Sequence, residues 1–554
     1  MIDLNKFKCI ISLLIIIFFC NLPTFLRAAD IYVDAWSGND SYSGMDWLNA
    51  KKSIAAGLAL SESLAGPDTV HVAAGTYVEN ITLVSQTILL GGYPSGGGTR
   101  DPAAYETIID GGAGLTTVRG ADNATIDGFT ITGGKGENTG TDEVVGGGIA
   151  CYGTSPTISH NKITGNNITG GTNPKTDTGE DASGAGIYCI NSAAVITDNL
   201  IETNNAIGGD GLYHAGSASG AGIFCMKSNV QILRNIIRNN KLQGGTGFTT
   251  GLSGTGGFCY GAGICLMWSS GTISQNSILA NSALGGSSRG YIGGSCYGGG
   301  VSTVTDTGGN VLISGNTIKE NHAKCGTGSG GDGVTEGAGV WTNSRSGLAT
   351  DTIVENNLVG YNIAEKSSAY GRDYGGGISS QGIIVNNTIF NNYSQKGGGV
   401  AFSESGAIVA NNIFIDNSNY AIIEEGLMHS MIPAAIQNND FYNNTSGVYW
   451  TKSKIYLDVI SMEADLSYCK NNISCDPGFI SGSEYLLAPG SCCIDAGTSL
   501  HASATDFDGD TRPIGSGYDI GADEFNASGM VPLQGIYSLL LLVSAFSIYI
   551  IMEK

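Results

Sequence analysis

Apolar positions along most of this chain fall in short alternating runs of three to five residues, each closed by asparagine or glycine. One run recurs as apolar-x-x-Asn-x-apolar: Ile158…Asn161…Ile163, Ile196…Asn199…Ile201, Ile232…Asn235…Ile237 and Ile273…Asn276…Ile278. It continues as Ile313…Asn316…Ile318, Ile353…Asn356…Leu358, Ile384…Asn387…Ile389 and Ile408…Asn411…Ile413. A second asparagine often follows three residues later, at Asn166, Asn204, Asn240, Asn281, Asn321 and Asn392. Before each run stands Gly-(Gly/Ala)-Gly followed by Ile or Val, ending at Gly148, Gly186, Gly222, Gly263, Gly300, Gly339, Gly377 and Gly399. The intervals are 38, 36, 41, 37, 39, 38 and 22 residues. The shortest marks the basic unit, and the longer ones add a glycine-rich insert.

Strands this short cannot enclose a core alone, but a coil of three of them stacked on the next coil can. Asparagine accepts the left-handed bend between strands and can bond its amide to the asparagine above and below, and glycine supplies the other tight corner. The pattern predicts an all-β, single-stranded right-handed parallel β-helix with an asparagine ladder and glycine-rich inserts. Less regular coils are expected at Thr69-Val72, Ile81-Leu83, Thr87-Leu90, Thr107-Asp110 and Ile126-Ile131. A short helix between Trp47 and Ser61, with Ile54 and Leu58 inward, would close the open end.

Composition adds an address. Charged residues are only 13% and the net charge of −22 argues against nucleic acid as a partner. Lys6 and Lys8, an apolar run from Cys9 to Phe19 and then Ala28-Ala29 predict a signal peptide over 1–29; an N-terminal membrane anchor is the alternative. At the other end, Val531-Pro532 leads into an apolar stretch to Met552, read as a C-terminal sorting tail or membrane anchor over 529–554. Between them the expected divisions are 30–68 (first strand and capping helix), 69–450 (the β-helix) and 451–528 (a C-terminal module). The protein is therefore expected to be exported, at the cell surface, in an outer membrane or extracellular.

Ile31-Tyr32-Val33-Asp34, Gly38-Asn39-Asp40, Val72-Ala73-Ala74-Gly75-Thr76-Tyr77 and Gly91-Gly92-Tyr93 resemble bacterial secreted β-helix repeat proteins of the pectin-lyase-like superfamily. The Gly-Gly-Gly-Ile and Ile-x-x-Asn repeats are similar to those of polymorphic outer-membrane proteins. Asp476-Pro477-Gly478-Phe479, Ile494-Asp495-Ala496-Gly497, Asp506-Phe507-Asp508-Gly509-Asp510, Arg512-Pro513 and Asp519-Ile520-Gly521-Ala522 resemble the choice-of-anchor Q module, with Ser491-Cys492-Cys493 in place of its usual Ser-Pro-Ala. The superfamily includes polysaccharide lyases and hydrolases, but the hydrolase Asp-Asp, Gly-His-Gly and Arg-Ile-Lys segments and the epimerase Asp-Pro-His-Asp segment are absent here.

Three constellations remain as candidate chemistry. Aligned by repeat, Asp198 lies near Arg234 and Glu202 near Arg238. This is either a lyase site, with an arginine base and carboxylates holding Ca²⁺ against a uronate, or two cross-coil ion pairs on a solvated face. Tyr188, Phe224 and Trp341 follow the glycine triplets on the outward side, either as a platform for sugar rings or as rings that the inserts cover. Asp506, Asp508 and Asp510 form a loop that either wraps Ca²⁺ or makes a turn. Cys151, Cys189 and Cys225 read as a buried thiol stack, and Cys259 with Cys296 as a candidate disulfide. The leading expectation is a non-catalytic, surface-attached adhesin or glycan-contact protein, binding a polysaccharide or a host or cell-surface glycan. Its alternatives are a polysaccharide lyase on an acidic polymer and a structural spacer or passenger.

Overall fold

The structure, a computed structural model, describes residues 28–527 apart from 65, 113, 141, 174–176, 249–253, 369, 403–404 and 425–431. The expected signal peptide up to residue 27 and the expected tail over 529–554 lie outside the described residues. Among the described residues, no helix is long and apolar enough to cross a membrane.

The chain folds as the right-handed parallel β-helix that its period predicts. Among the described residues, three long sheets of 14, 13 and 12 strands, parallel except for the last pair of the 13-stranded one, run the length of the molecule. Each coil passes through them in turn: Ile149–Tyr152, then Thr157–Ser159, then Lys162–Thr164. Stacking is in register, so Ile158 lies on Ile196, Ile163 on Ile201 and Ile149 on Ile187. These isoleucine columns are fully buried and form the main core.

Two asparagine ladders hold the corners. Asn161 Nδ2 donates to Asn199 Oδ1 (3.2 Å), Asn199 to Asn235 (2.9 Å) and Asn235 to Asn276 (3.0 Å). A second ladder runs through Asn166, Asn204 and Asn240, each step 3.0 Å. In two later coils the rung is one residue beyond the expected one: Asn357 and Asn412 carry the ladder, and Val354 and Val409 fill the core in place of Ile353 and Ile408. The cause is the Asn-Asn doublet, which offers two registers, and a shift of one residue exchanges the faces of a strand. The last rung, Asn472, lies beyond the boundary expected at 450. There the helix Val459–Asp465 replaces the missing next coil, because Glu463 Oε1 accepts from Asn472 N (2.6 Å) and Nδ2 (3.0 Å). Glu463→Ala is expected to lower stability by about 1–2 kcal/mol and Glu463→Gln to retain it, read as the urea midpoint of the C-terminal coils.

At the other end, the expected helix divides into a 3₁₀ turn, Trp47–Asn49, and the helix Ile54–Ser63, whose N-cap Ser53 accepts from Ala56 N. Ile54 and Leu58 face inward, as their spacing requires.

The glycine-rich inserts are not loops. From about residue 137 to 374 they add two more sheets, of eight and six strands and parallel except for the first pair of the larger, so each coil there contains five strands. These sheets enclose a second core of mostly alanine, including Ala182, Ala206, Ala218, Ala262 and Ala283, with Ile168 and Leu242. Farther out, glycines on the outgoing and returning segments bond each other in a zigzag: Gly245 N to Gly216 O (3.0 Å), Gly257 N to Gly245 O (3.0 Å), Gly286 N to Gly257 O (2.9 Å) and Gly294 N to Gly286 O (2.8 Å). The molecule is thus a main solenoid with a narrower one fused along its side.

Candidate functional site

The charged face forms at the bend between the 14- and 12-stranded sheets. His160, Asp198, Arg234 and Gln275 each occupy the left-handed region there, with φ of 52–59°, and their side chains stand outside the asparagine ladder. Arg234 grips Asp198 with two bonds, Nε to Oδ1 (2.9 Å) and Nη2 to Oδ2 (2.8 Å), and adds Thr197 Oγ1 (2.7 Å). On the neighbouring strand Arg238 Nε meets Glu202 Oε2 (2.9 Å), and Lys162 Nζ approaches Oε1 (3.6 Å). Both arginine side chains are about half exposed, so each pair is worth no more than about 1 kcal/mol. The hydrogen bond from Arg234 holds the Asp198 carboxyl below its usual range, and Asp198 in turn raises Arg234.

One group absent from the sequence reading completes this face. Asp127 lies one coil before Ser159, in register with it. It accepts from Ser159 Oγ (2.6 Å), bonds His160 Nδ1 (2.7 Å) and pairs with Arg100. Burial pushes its pKa up, but these hydrogen bonds outweigh burial and hold it down. Asp127 stands in the column of Ser159, Thr197 and Leu233, one position before the column of His160, Asp198 and Arg234, and Ser159, Thr197 and Leu233 are uncharged, so the repeat pattern gave no sign of it.

The aromatic column is covered. Tyr188 is 2% exposed, Phe224 4% and Trp341 8%. Tyr188 and Phe224 stack at 5.5 Å, and Trp341 Nε1 bonds Glu336 Oε2 (2.9 Å) beside Tyr297. The column does point out of the main barrel, but the eight-stranded sheet leaves the barrel at the glycine corner and lies against it, so these rings fill the angle between two solenoids. They are unavailable to a sugar. Other rings do reach solvent, among them Trp36, Tyr152, Trp268 flanked by Lys227 and Arg345, and Tyr370, which is 84% exposed. Tyr370 borders a cavity of 690 Å³ on the outer face of the eight-stranded sheet, together with Phe258, Tyr297, Asp332 and Arg372. The repeat pattern does not show it, because its wall comes from four successive inserts.

Cys151, Cys189 and Cys225 are stacked in register and buried, as the repeat implies. Cys259 and Cys296 are also in register, but they are not bonded. Stacked side chains point the same way, and each thiol donates to a backbone carbonyl, of Leu284 and Lys324 respectively. Among the described residues the disulfide is Cys475–Cys492, in the C-terminal segment.

That segment folds back along the outer asparagine of the doublets Asn356-Asn357, Asn411-Asn412 and Asn438-Asn439. Asn356 Nδ2 donates to Thr505 O (2.6 Å), Asn411 to Thr498 O (2.8 Å) and Asn438 to Ala496 O (2.9 Å). Within it the expected trio separates. Asp506 and Asp508 gather with Asp523, whereas Asp510 turns to Asn526. Both Asp506 oxygens already accept backbone N–H groups, from Asp508, Asp510 and Glu524, and the Arg512–Glu524 ion pair is buried close by. Asp506, Asp508 and Asp523 are close enough to offer three ligand atoms to a cation, but a Ca²⁺ ion takes six to eight oxygens, and the hydrogen bonds to Asp506 already give this loop a backbone-capping role.

The contact between segment and solenoid is rich in buried acids. Burial pushes Asp440 and Asp523 up to about 7 and Asp519 up to about 6. Folded-state values above the ordinary carboxylate value mean that the native state holds more protons than the unfolded one between about pH 4 and 7, so stability falls as pH rises through that window. The segment 475–525 is expected to show slower amide exchange at pH 5 than at pH 8, after correction for intrinsic rates. Asp440→Asn should shrink that difference; an unchanged difference in the variant would count against Asp440 as a contributor.

No family model and no curated protein matches the chain. Among solved structures it is similar to pectate lyase Pel9A, at 14% identity over 92% of this chain and 99% of that one, with a TM-score of 0.30. It is also similar to PfbA, a surface adhesin of Streptococcus pneumoniae, at 12% identity over 76% and 91% of the two chains, with a TM-score of 0.29. A third is XylC in complex with xylose, at 9% identity over 90% and 99%, with a TM-score of 0.30. At these identities and TM-scores the likenesses carry no argument about what this chain does.

Proposed function

We propose that the chain is an exported, surface-attached β-helix protein that contacts glycans with its lateral face and does no chemistry on them. The observation that carries this reading is the state of Arg234, the first candidate for a proton-abstracting base. Its two-bond grip on Asp198 raises its pKa, whereas a general base needs a value lowered toward the working pH. Arg238 is likewise engaged by Glu202. A net charge of −22 also opposes approach of a polyuronate. Export would rest on the 1–29 leader, and attachment on the choice-of-anchor Q-like segment and the 529–554 tail.

The lyase reading keeps one observation in its favour: Asp127 holds the ring of the exposed His160 by Nδ1, as an orienting carboxylate holds a base. The deciding experiment incubates the protein with neutral and acidic polysaccharides, with and without Ca²⁺, following unsaturated ends and scoring pull-down in the same tubes. Binding without cleavage is the expected result. Cleavage lost in Arg234→Ala, Arg238→Ala or His160→Ala would establish a lyase, and neither binding nor cleavage would leave a structural spacer.

A further inference from the structure

We propose that the 690 Å³ cavity on the outer face of the eight-stranded sheet is a binding site for an uncharged sugar unit of a glycan. This rests on the glycan-contact reading above and gives it an address. The wall is built by alternation along the strands. Val334 and Arg372 are register partners, and their strand neighbours Thr335 and Asp373 point into the lobe and are buried, so Val334 and Arg372 face outward. The glycine-rich tip over 328–333 bounds the same space, with Phe258, Tyr297 and Tyr370.

Three features specify the ligand. The first is ring surface: Tyr370 is almost fully exposed, and Phe258 and Tyr297 add further aromatic wall, the apolar, flat lining that the C–H face of a pyranose requires. The second is an unmet acceptor. Asp332 Oδ2 is shielded from solvent and has no hydrogen-bond partner, while Oδ1 receives only a long bond from Gly328 N (3.3 Å). Asp332 lines the cavity, so a turn of this under-bonded carboxylate would bring it to accept a sugar hydroxyl. The third is charge. Arg372 has no ion pair among the described residues and supplies donors for a second hydroxyl, leaving one cation and one anion on the wall. A uronate would meet Asp332 and the negative field of the whole chain, so the site selects a neutral sugar.

The test uses the full chain, purified in detergent, on an array of neutral oligosaccharides (β-glucan, xylan, mannan and galactan series) and uronic ones (polygalacturonate and alginate series), followed by calorimetry with the tightest binder. A neutral oligosaccharide should bind, and Tyr370→Ala and Asp332→Ala should each weaken it about tenfold or more. Trp268→Ala, on the separate exposed ridge, should leave binding unchanged. Tyr370 is exposed, so its variant keeps the fold, which an unchanged melting temperature verifies. Neutral binding that survives both cavity variants would overturn this site while leaving glycan contact standing elsewhere on the molecule. Preference for the uronic series would overturn the charge argument, and an array with no bound oligosaccharide would sink both the site and the broader reading.

Discussion

Replacing Asn276 with alanine is expected to lower the stability of the central coils by about 4 kcal/mol, because several buried polar groups lose their partners at once. Asn276 is 1% exposed and uses all of its amide. Its Oδ1 accepts from Asn235 N (2.8 Å) and Asn235 Nδ2 (3.0 Å). Its Nδ2 donates to Ile232 O (2.8 Å), Ser274 O (3.0 Å) and Asn316 Oδ1 (3.0 Å). Truncation leaves buried groups of two neighbouring coils without partners, at about 1–3 kcal/mol each. Asn276→Asp should be no better, since it turns an acceptor toward Ile232 O and Asn316 Oδ1. A solenoid unfolds by segments, so the measurement is native-state amide exchange over 230–320, with the exposed neighbour Gln275→Ala as reference. Equal exchange in the two variants would remove the ladder as a source of stability.

Gly257→Ala is expected to open the side lobe while leaving the main solenoid folded. A Cβ on Gly257 would lie 1.9 Å from Gly216 O, and the same contact recurs at Gly286, 1.8 Å from Gly245 O. These obstacles are backbone atoms, themselves held in the zigzag of hydrogen bonds, and no rotamer change relieves them. The cost is about 3 kcal/mol or more, concentrated in the lobe because its alanine core is separate from the isoleucine core. Exchange should accelerate over 241–300 in the inserts and stay slow in Ile264–Met267 and Ser277–Leu279. Gly309→Ala, where the nearest atom would be 3.3 Å away, is the matched control. Uniform loosening of both solenoids would show that the lobe is not an independent unit.

The same glycines show how far the sequence could be read. Their triplets located one corner of each coil from Gly148 to Gly399, but the runs between them read as inserts of unspecified form. A polar, glycine-rich segment carries no face periodicity, and only the approach of two backbones shows why a side chain is excluded. The Asn-Asn doublets are a comparable case. Asn356, Asn411 and Asn438 look like ladder residues, yet they are the rail on which the C-terminal segment docks. Where that rail ends, the same column becomes Gln275, Arg234, Asp198 and His160 and faces solvent. The switch from asparagine to charge was visible in the sequence, but its meaning depended on knowing what lies over it.

What the sequence determined alone is what repeats at constant spacing: the coil, its three principal strands, the isoleucine columns, the ladders and the pairing of Asp198 with Arg234 and Glu202 with Arg238. In a stacked fold, equivalent positions in successive repeats are neighbours, so alignment of the repeats amounts to a contact map. What only the tertiary structure decided joins parts that share no period. These are the second solenoid that buries Tyr188, Phe224 and Trp341, the return of the C-terminal segment, the Cys475–Cys492 bridge, the exchange of Asp510 for Asp523, and the cavity at Tyr370. Each depends on how one repeating surface meets another, and the angle and depth of that meeting follow from packing of backbone and small side chains, which leaves no periodic trace along the chain.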